Sequence, residues 1–198
     1  MTSATAAGRI GPNAIIRTVE ALREILGEAK TAALLKQAGL DGYGREFPHD
    51  MVAEAEVTSL FTTIYRELGN RCAREVARSS GERTGDYLLA NRIPRAAQTA
   101  LKLLPATLAS RGLLAAIRGK TWTFAGSGSV VLSDGRPALV TFTDCPLCRG
   151  SSAEASVCDY YAATFERLYR VLVHPSAAAA EISCRAAGAP HCTIEIRY

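Results

Sequence analysis

The stretch Gly119–Phe142, GKTWTFAGSGSVVLSDGRPALVTF, decides the fold class. Before it, apolar residues recur at helical spacing; from it onward they alternate or cluster in short runs. TWTFAG, SVVLSD and PALVTF are short, rich in β-branched and aromatic residues and separated by glycines, and SDGRP has the chemistry of a hairpin turn. Three strands are expected here. Toward the N-terminus, Pro94 and Pro105 bracket RAAQTALKLL, and a further helix runs to about Ile117. From about Met51 to Leu68 the pattern is helical, with Leu60, Ile64, Tyr65 and Leu68 on one side. GNRCAREVARSSGERTGDYLLANRI continues as helix, weakened at Gly81 and Gly85.

Nearer the start, GPNAIIRTVEALREIL has Pro12 at its opening, Asn13 placed to cap, and a stripe of Ile15, Ile16, Val19, Leu22 and Leu26. A short helix from Glu28 to Ala38 stops at Gly39, and DGYGREFPHD reads as loop. Toward the C-terminus, ASVCDYYAATFERLYRVLV reads as one helix ended by His174-Pro175, and AEISC and CTIEIRY as two strands. The expectation is an α+β fold: N-terminal helices, then an antiparallel sheet with one inserted helix and a C-terminal hairpin. One domain over 9–198 follows a disordered tail of residues 1–8, with a helical part at about 9–118 and a sheet part at about 119–198.

A chain of 198 residues, 48% hydrophobic and 21% charged, can bury a sizeable core without staples. MTSATAAGRIGPN lacks the apolar core of a secretory signal. ALKLLPATLASRGLLAAIRG is interrupted by Lys102, Pro105 and Arg111, so no membrane span is expected and the reading is cytoplasmic. Net charge is +4, and no nucleic-acid-binding motif accompanies it. Arg66, Arg71, Arg74 and Arg78 recur at helical spacing, as a solvated face or as a basic rim for an acidic ligand.

Five of the six cysteines fall between Cys145 and Cys192, with only Cys72 apart. In a reducing compartment such crowding points to metal ligation or redox chemistry rather than to disulfides. In the last strand Cys192, Ile194 and Ile196 share one face; in AEISC, Ile182 and Cys184 share one. Both thiols then point inward at the mouth of a hairpin, and Gly188 lets the seven-residue connection bend. Glu181, three positions before Cys184, joins them only if the strand bends or bulges. Cys158 lies near a helix start, where the dipole favours the metal-binding thiolate. Three thiolates and one carboxylate make a closed tetrahedral set for a structural zinc. Cys145 and Cys148, in CPLC, form a rival pair, compatible with zinc, a redox dithiol or plain core packing.

The segment from about Thr121 to Tyr198 resembles the four-vinyl reductase domain, a ligand-binding α+β module. VCDYYAATFERL and EISCRAAGAPHC carry the resemblance, matching that family's cysteine, its E-x-x-C and its final cysteine. Sensory members of the superfamily hold zinc through this set, so the resemblance implies Cys158, Glu181, Cys184 and Cys192 as ligands. CPLCRG departs from the simpler pattern, which leaves Cys145 and Cys148 as additional or alternative ligands. Nearly the whole chain after the first eight residues, including GPNAIIRTVEALRE and GKTWTFAGSG, resembles the BchJ family of bacteriochlorophyll biosynthesis.

The resemblance implies either an accessory protein that binds a magnesium porphyrin or chlorophyllide intermediate and hands it to pathway enzymes, or an 8-vinyl reductase of divinyl (proto)chlorophyllide. A small-molecule sensor is the third reading, and a homodimer is plausible by analogy with relatives. A reductase needs an electron source. FAGSGSVVLS carries Gly126 and Gly128 but Val131 in the third place of a dinucleotide fingerprint, and the cysteine spacing matches no ferredoxin run. The accessory-protein reading is therefore preferred. Its pigment needs an apolar slot, for which Leu101, Leu104, Leu108, Leu113 and Leu114 are candidates. It also needs cations for its carboxylates, from Arg92, Arg95 and Arg118, and an axial ligand, for which His49 sits in a glycine-rich loop.

Overall fold

The computed structural model describes residues 8–198; residues 1–7, most of the expected tail, lie outside the described residues. Gly8 is already engaged, its carbonyl accepting from the Glu54 N–H at 2.9 Å. The next two residues form β1 (Arg9–Ile10), followed by α1 (Asn13–Leu26) and α2 (Glu28–Gln37). Ile15, Val19 and Leu22 of α1 are fully buried, and Ile16 and Leu26 lie at the margin of the core. Asn13 is not the cap: Pro12 occupies that position with no side-chain hydrogen bond, and Asn13 is already helical.

β2 (Val52–Ala53) pairs antiparallel with β1, which removes those residues from the helix expected to begin near Met51. Helix α3 (Glu54–Asn91) then runs the length of the molecule. It breaks once, at Gly69, whose φ of 68° and ψ of 166° are non-helical. That conformation costs an L-residue strain and costs glycine none. Gly81 and Gly85, expected as weak points, are instead the places where another helix comes closest. A Cβ on Gly81 would meet the Tyr160 carbonyl oxygen at 2.2 Å, and one on Gly85 the Arg167 Cβ at 2.7 Å.

α4 (Arg95–Leu103) and α5 (Ala106–Arg118) follow, each entered through the expected proline. No helix among the described residues is long and apolar enough to cross a membrane. The strand expected in TWTFAG is a short helix, α6 (Trp122–Ala125). Tertiary contacts override β propensity there: the Gly11 N–H reaches the Thr123 carbonyl and the Tyr161 hydroxyl reaches that of Phe124.

β3 (Val130–Ser133) and β4 (Ala138–Phe142) form the predicted hairpin. α7 (Asp159–Leu172) is the inserted helix, and β5 (Ala178–Ser183) and β6 (Cys192–Arg197) close the chain. The four strands form an antiparallel sheet in the order β3-β4-β6-β5. Ala138, Val140 and Phe142 of β4 and Cys192, Ile194 and Ile196 of β6 are buried on one face. α7 packs on that face, Tyr161 stacking on Phe142 with ring centroids 4.5 Å apart, and α3 packs along α7. The fold is α+β, with helices and one four-stranded antiparallel sheet.

Candidate metal centre

Cys158 takes the N-cap position of α7. Cys192 opens β6 on its buried face. Between β5 and β6 the register shifts at Glu181/Ser183, leaving Ile182 as the extra residue of a bulge. Ile182 is 55% exposed, so it does not share the inward face with Cys184 as simple alternation required. The bulge has the effect the sequence demanded of it: Glu181 and Cys184, three positions apart, reach the same spot. Gly188, at φ 90°, turns the connection back, and the Arg185 N–H donates to the Cys192 Sγ at 3.3 Å.

The ligating atoms of Cys158, Glu181, Cys184 and Cys192 all lie within 4.8 Å of one another. So do those of Cys145, Cys148, Cys158 and Cys192. Cys158 and Cys192 belong to both sets. The sulfurs of Cys145 and Cys158 are 3.6 Å apart, those of Cys148 and Cys192 3.4 Å, and those of Cys158 and Cys192 3.9 Å. Tetrahedral zinc with bonds of about 2.3 Å separates its thiolates by about 3.8 Å. All five thiols are buried and none forms a disulfide.

The electrostatics call for a cation. One oxygen of Glu181 accepts the Cys158 N–H at 2.8 Å; the other is buried with no partner. Burial, with the Cys184 sulfur beside it, pushes this carboxyl up to about 8. Hydrogen bonding to Cys145 and its neighbours pulls the Cys148 thiol below its ordinary range and pushes Cys158 well above it. An orphaned carboxylate oxygen among crowded thiols is a donor set that can hold a metal ion.

The remaining candidates lie elsewhere. Arg92 and Arg95 are exposed at the turn from α3 to α4, Arg92 lying over the Tyr87 ring at 5.9 Å. Arg118 is exposed at the end of α5, 3.4 Å from the Leu132 carbonyl. The leucines proposed as a slot are divided: Leu113 and Leu114 are core, whereas Leu104 and Leu108 are exposed. His49 lines an open depression of about 740 Å³. Tyr43, Phe47, Pro48 and Met51 line it too, as does Arg9, which sequence reasoning missed. Nothing local to Arg9 marks it; the β1–β2 pairing brings it to the 39–53 segment.

A family model for the vinyl-4-reductase domain, the four-vinyl reductase module, matches residues 139–198. The chain is 40% identical over 190 residues to the bacteriochlorophyll synthase 23 kDa chain of Cereibacter sphaeroides, covering 96% of this chain and 91% of that one. It is 38% identical to the protein of the same name from Rhodobacter capsulatus, covering 93% and 84%. Among solved structures, an unliganded Fe(II) H-NOX protein mutant from K. algicida superposes with a TM-score of 0.61 at 9% identity, covering 95% of this chain and 96% of that one. The H-NOX protein from S. oneidensis in its Fe(II)NO state gives 0.54 at 13%, covering 95% and 98%. A structure probing heme distortion in the H-NOX family gives 0.56 at 11%, covering 96% and 95%. At these identities the likeness shows a shared fold.

Proposed function

The chain belongs to the BchJ family, that of the bacteriochlorophyll synthase 23 kDa chains, with a four-vinyl reductase domain at its C-terminal end, and from this premise we propose that it binds a magnesium tetrapyrrole intermediate of bacteriochlorophyll biosynthesis and presents it to pathway enzymes. The names of its relatives support the pathway. The fold it shares with H-NOX proteins, one of them studied for heme distortion, supports a tetrapyrrole as the kind of ligand.

The observation that carries the reading is the depression beside β1–β2. Its volume of about 740 Å³ falls within the range of roughly 300–1,000 Å³ typical of small-molecule sites. Tyr43, Phe47, Pro48 and Met51 offer apolar surface to a macrocycle. The exposed His49 imidazole is placed to meet a central magnesium. In this proposal Arg9 grips a pigment carboxylate, because Arg92, Arg95 and Arg118 stand apart from the depression. The metal centre serves structure: zinc at Cys158, Glu181, Cys184 and Cys192 pins the hairpin to the start of α7.

An absorbance titration with divinyl protochlorophyllide tests the proposal. A saturable, shifted spectrum is expected, unchanged by NADPH or reduced ferredoxin, with the shift weakened by His49→Ala and the affinity by Arg9→Ala. Conversion to the monovinyl spectrum would make the protein the 8-vinyl reductase instead. Absence of any saturable shift would remove the pigment.

A further inference from the structure

We propose that the cysteine cluster holds two divalent metal ions, in two tetrahedra that share the Cys158–Cys192 edge. The inference rests on reading Cys158, Glu181, Cys184 and Cys192 as a metal site and adds a second ion to it. Each set has four donors, the number a structural zinc takes, and the two sets have Cys158 and Cys192 in common. No other His, Cys, Asp or Glu among the described residues joins either set. Two ions are therefore both four-coordinate only if these two thiolates bridge, which a thiolate can do because it has more than one lone pair to donate.

A single ion leaves something stranded wherever it sits. In the glutamate set, it leaves Cys145 and Cys148 as thiols only 0% and 2% exposed, pressed against sulfurs already in use. In the four-cysteine set, it leaves the buried oxygen of Glu181 without a partner. Filling both sets removes both defects. The distances agree with a shared edge: 3.9 Å between the bridging sulfurs, and 3.6 and 3.4 Å from each of them to one member of the C-x-x-C pair.

The loop that presents Cys145 and Cys148 is held from outside the cluster. Arg149 pairs with Glu54 and, at 2.8 Å, with Asp144; Arg185 pairs with Asp144 at 2.6 Å; the Thr58 hydroxyl donates to the Pro146 carbonyl. The pair is thus delivered to the shared sulfurs by contacts that do not depend on an ion, and a variant lacking both thiols is expected to fold.

Elemental analysis and native mass spectrometry of the zinc-loaded full chain give the decisive count. Two zinc ions per chain are expected for the wild type and one for the Cys145→Ser/Cys148→Ser double variant. In a cobalt titration, the paramagnetic signal built by the first equivalent should fall as the second enters, since bridging thiolates couple the two ions. One zinc in the wild type, unchanged in the double variant, would overturn the second ion and leave the four-ligand reading standing. No zinc in either would overturn both. Two cobalt ions with additive signals would mean separate sites and overturn the bridge, as would iron with labile sulfide.

Discussion

Helix α7 is fastened to the molecule by two opposite devices. Along its length it crosses α3 where Gly81 and Gly85 remove side chains, so the backbones approach until the Gly81 position faces the Tyr160 carbonyl. Polar groups at this crossing are already paired. Thr84 meets the Tyr160 hydroxyl at 3.0 Å, and the Thr164 hydroxyl donates to the Gly81 carbonyl at 3.1 Å. At its N-terminus α7 enters the cysteine cluster, where the donors are gathered but a carboxylate oxygen is orphaned. The crossing is finished by the polypeptide alone; the cluster is finished by an ion. Stability at the first depends on shape, and at the second on metal supply and thiol protonation.

The sharpest way to break this comparison is Cys192→Ser, which removes a donor common to both sets. All bound metal should be lost, with a destabilisation of about 5 kcal/mol in urea unfolding. That is less than the roughly 10–16 kcal/mol apparent binding energy of structural zinc in small peptides, because the core around α3 remains without it. Far-UV helical signal should largely survive. A variant as stable as the wild type would show that the cluster is packed core, and the contrast would fail.

Gly81→Ala attacks the other device. The added methyl would lie 2.2 Å from a backbone oxygen and 2.8 Å from the Ala163 Cβ. Overpacking of this kind costs about 3 kcal/mol, against a gain of up to about 1 kcal/mol in helix propensity. Gly85→Ala meets the Arg167 side chain, which can shift, so it should cost about 1 kcal/mol or less. Neither should change metal content. If Gly81→Ala lowered metal stoichiometry, the two fastenings would be coupled along α7.

These two regions were legible in the sequence to different degrees, for physical reasons. The strands of the sheet, the proline-entered helices and the inward face of Cys192, Ile194 and Ile196 are local periodicities, and the structure carries them. The bulge was legible as a condition, since Glu181 and Cys184 cannot otherwise meet. Gly81 and Gly85 were misread because a glycine's cost inside a helix is local, whereas its use is supplied by Tyr160 and Arg167, far along the chain. The aromatics of TWTFAG suggested a strand, but hydrogen bonds from Gly11 and Tyr161 decide its shape. The sharing of Cys158 and Cys192 between two sets is a matter of distances within 4.8 Å, which spacing along the chain does not encode.

A last and smaller effect separates the two sources of acid sensitivity that the comparison implies. Protonation of thiolates releases metal as pH falls. Glu54, 8% exposed at the start of α3, is a second source. Burial alone would raise its carboxyl. The Ser127 N–H at 2.8 Å, the Ser127 hydroxyl at 2.7 Å and the Arg149 guanidinium outweigh burial and hold it below the ordinary carboxylate value. A lowered folded-state pKa contributes stability that is present above the unfolded value and is lost as pH falls through the folded one. Glu54→Gln should therefore cost about 1 kcal/mol near neutrality, discounted for the partial exposure of Arg149. The difference from wild type should vanish in acid. Measured on metal-stripped protein, where the cluster no longer contributes, the gap should close over the same acidic window. A gap that disappears once the metal is removed would instead mean that Glu54 acts only by holding the Arg149 loop, and with it Cys145 and Cys148, against the metal centre.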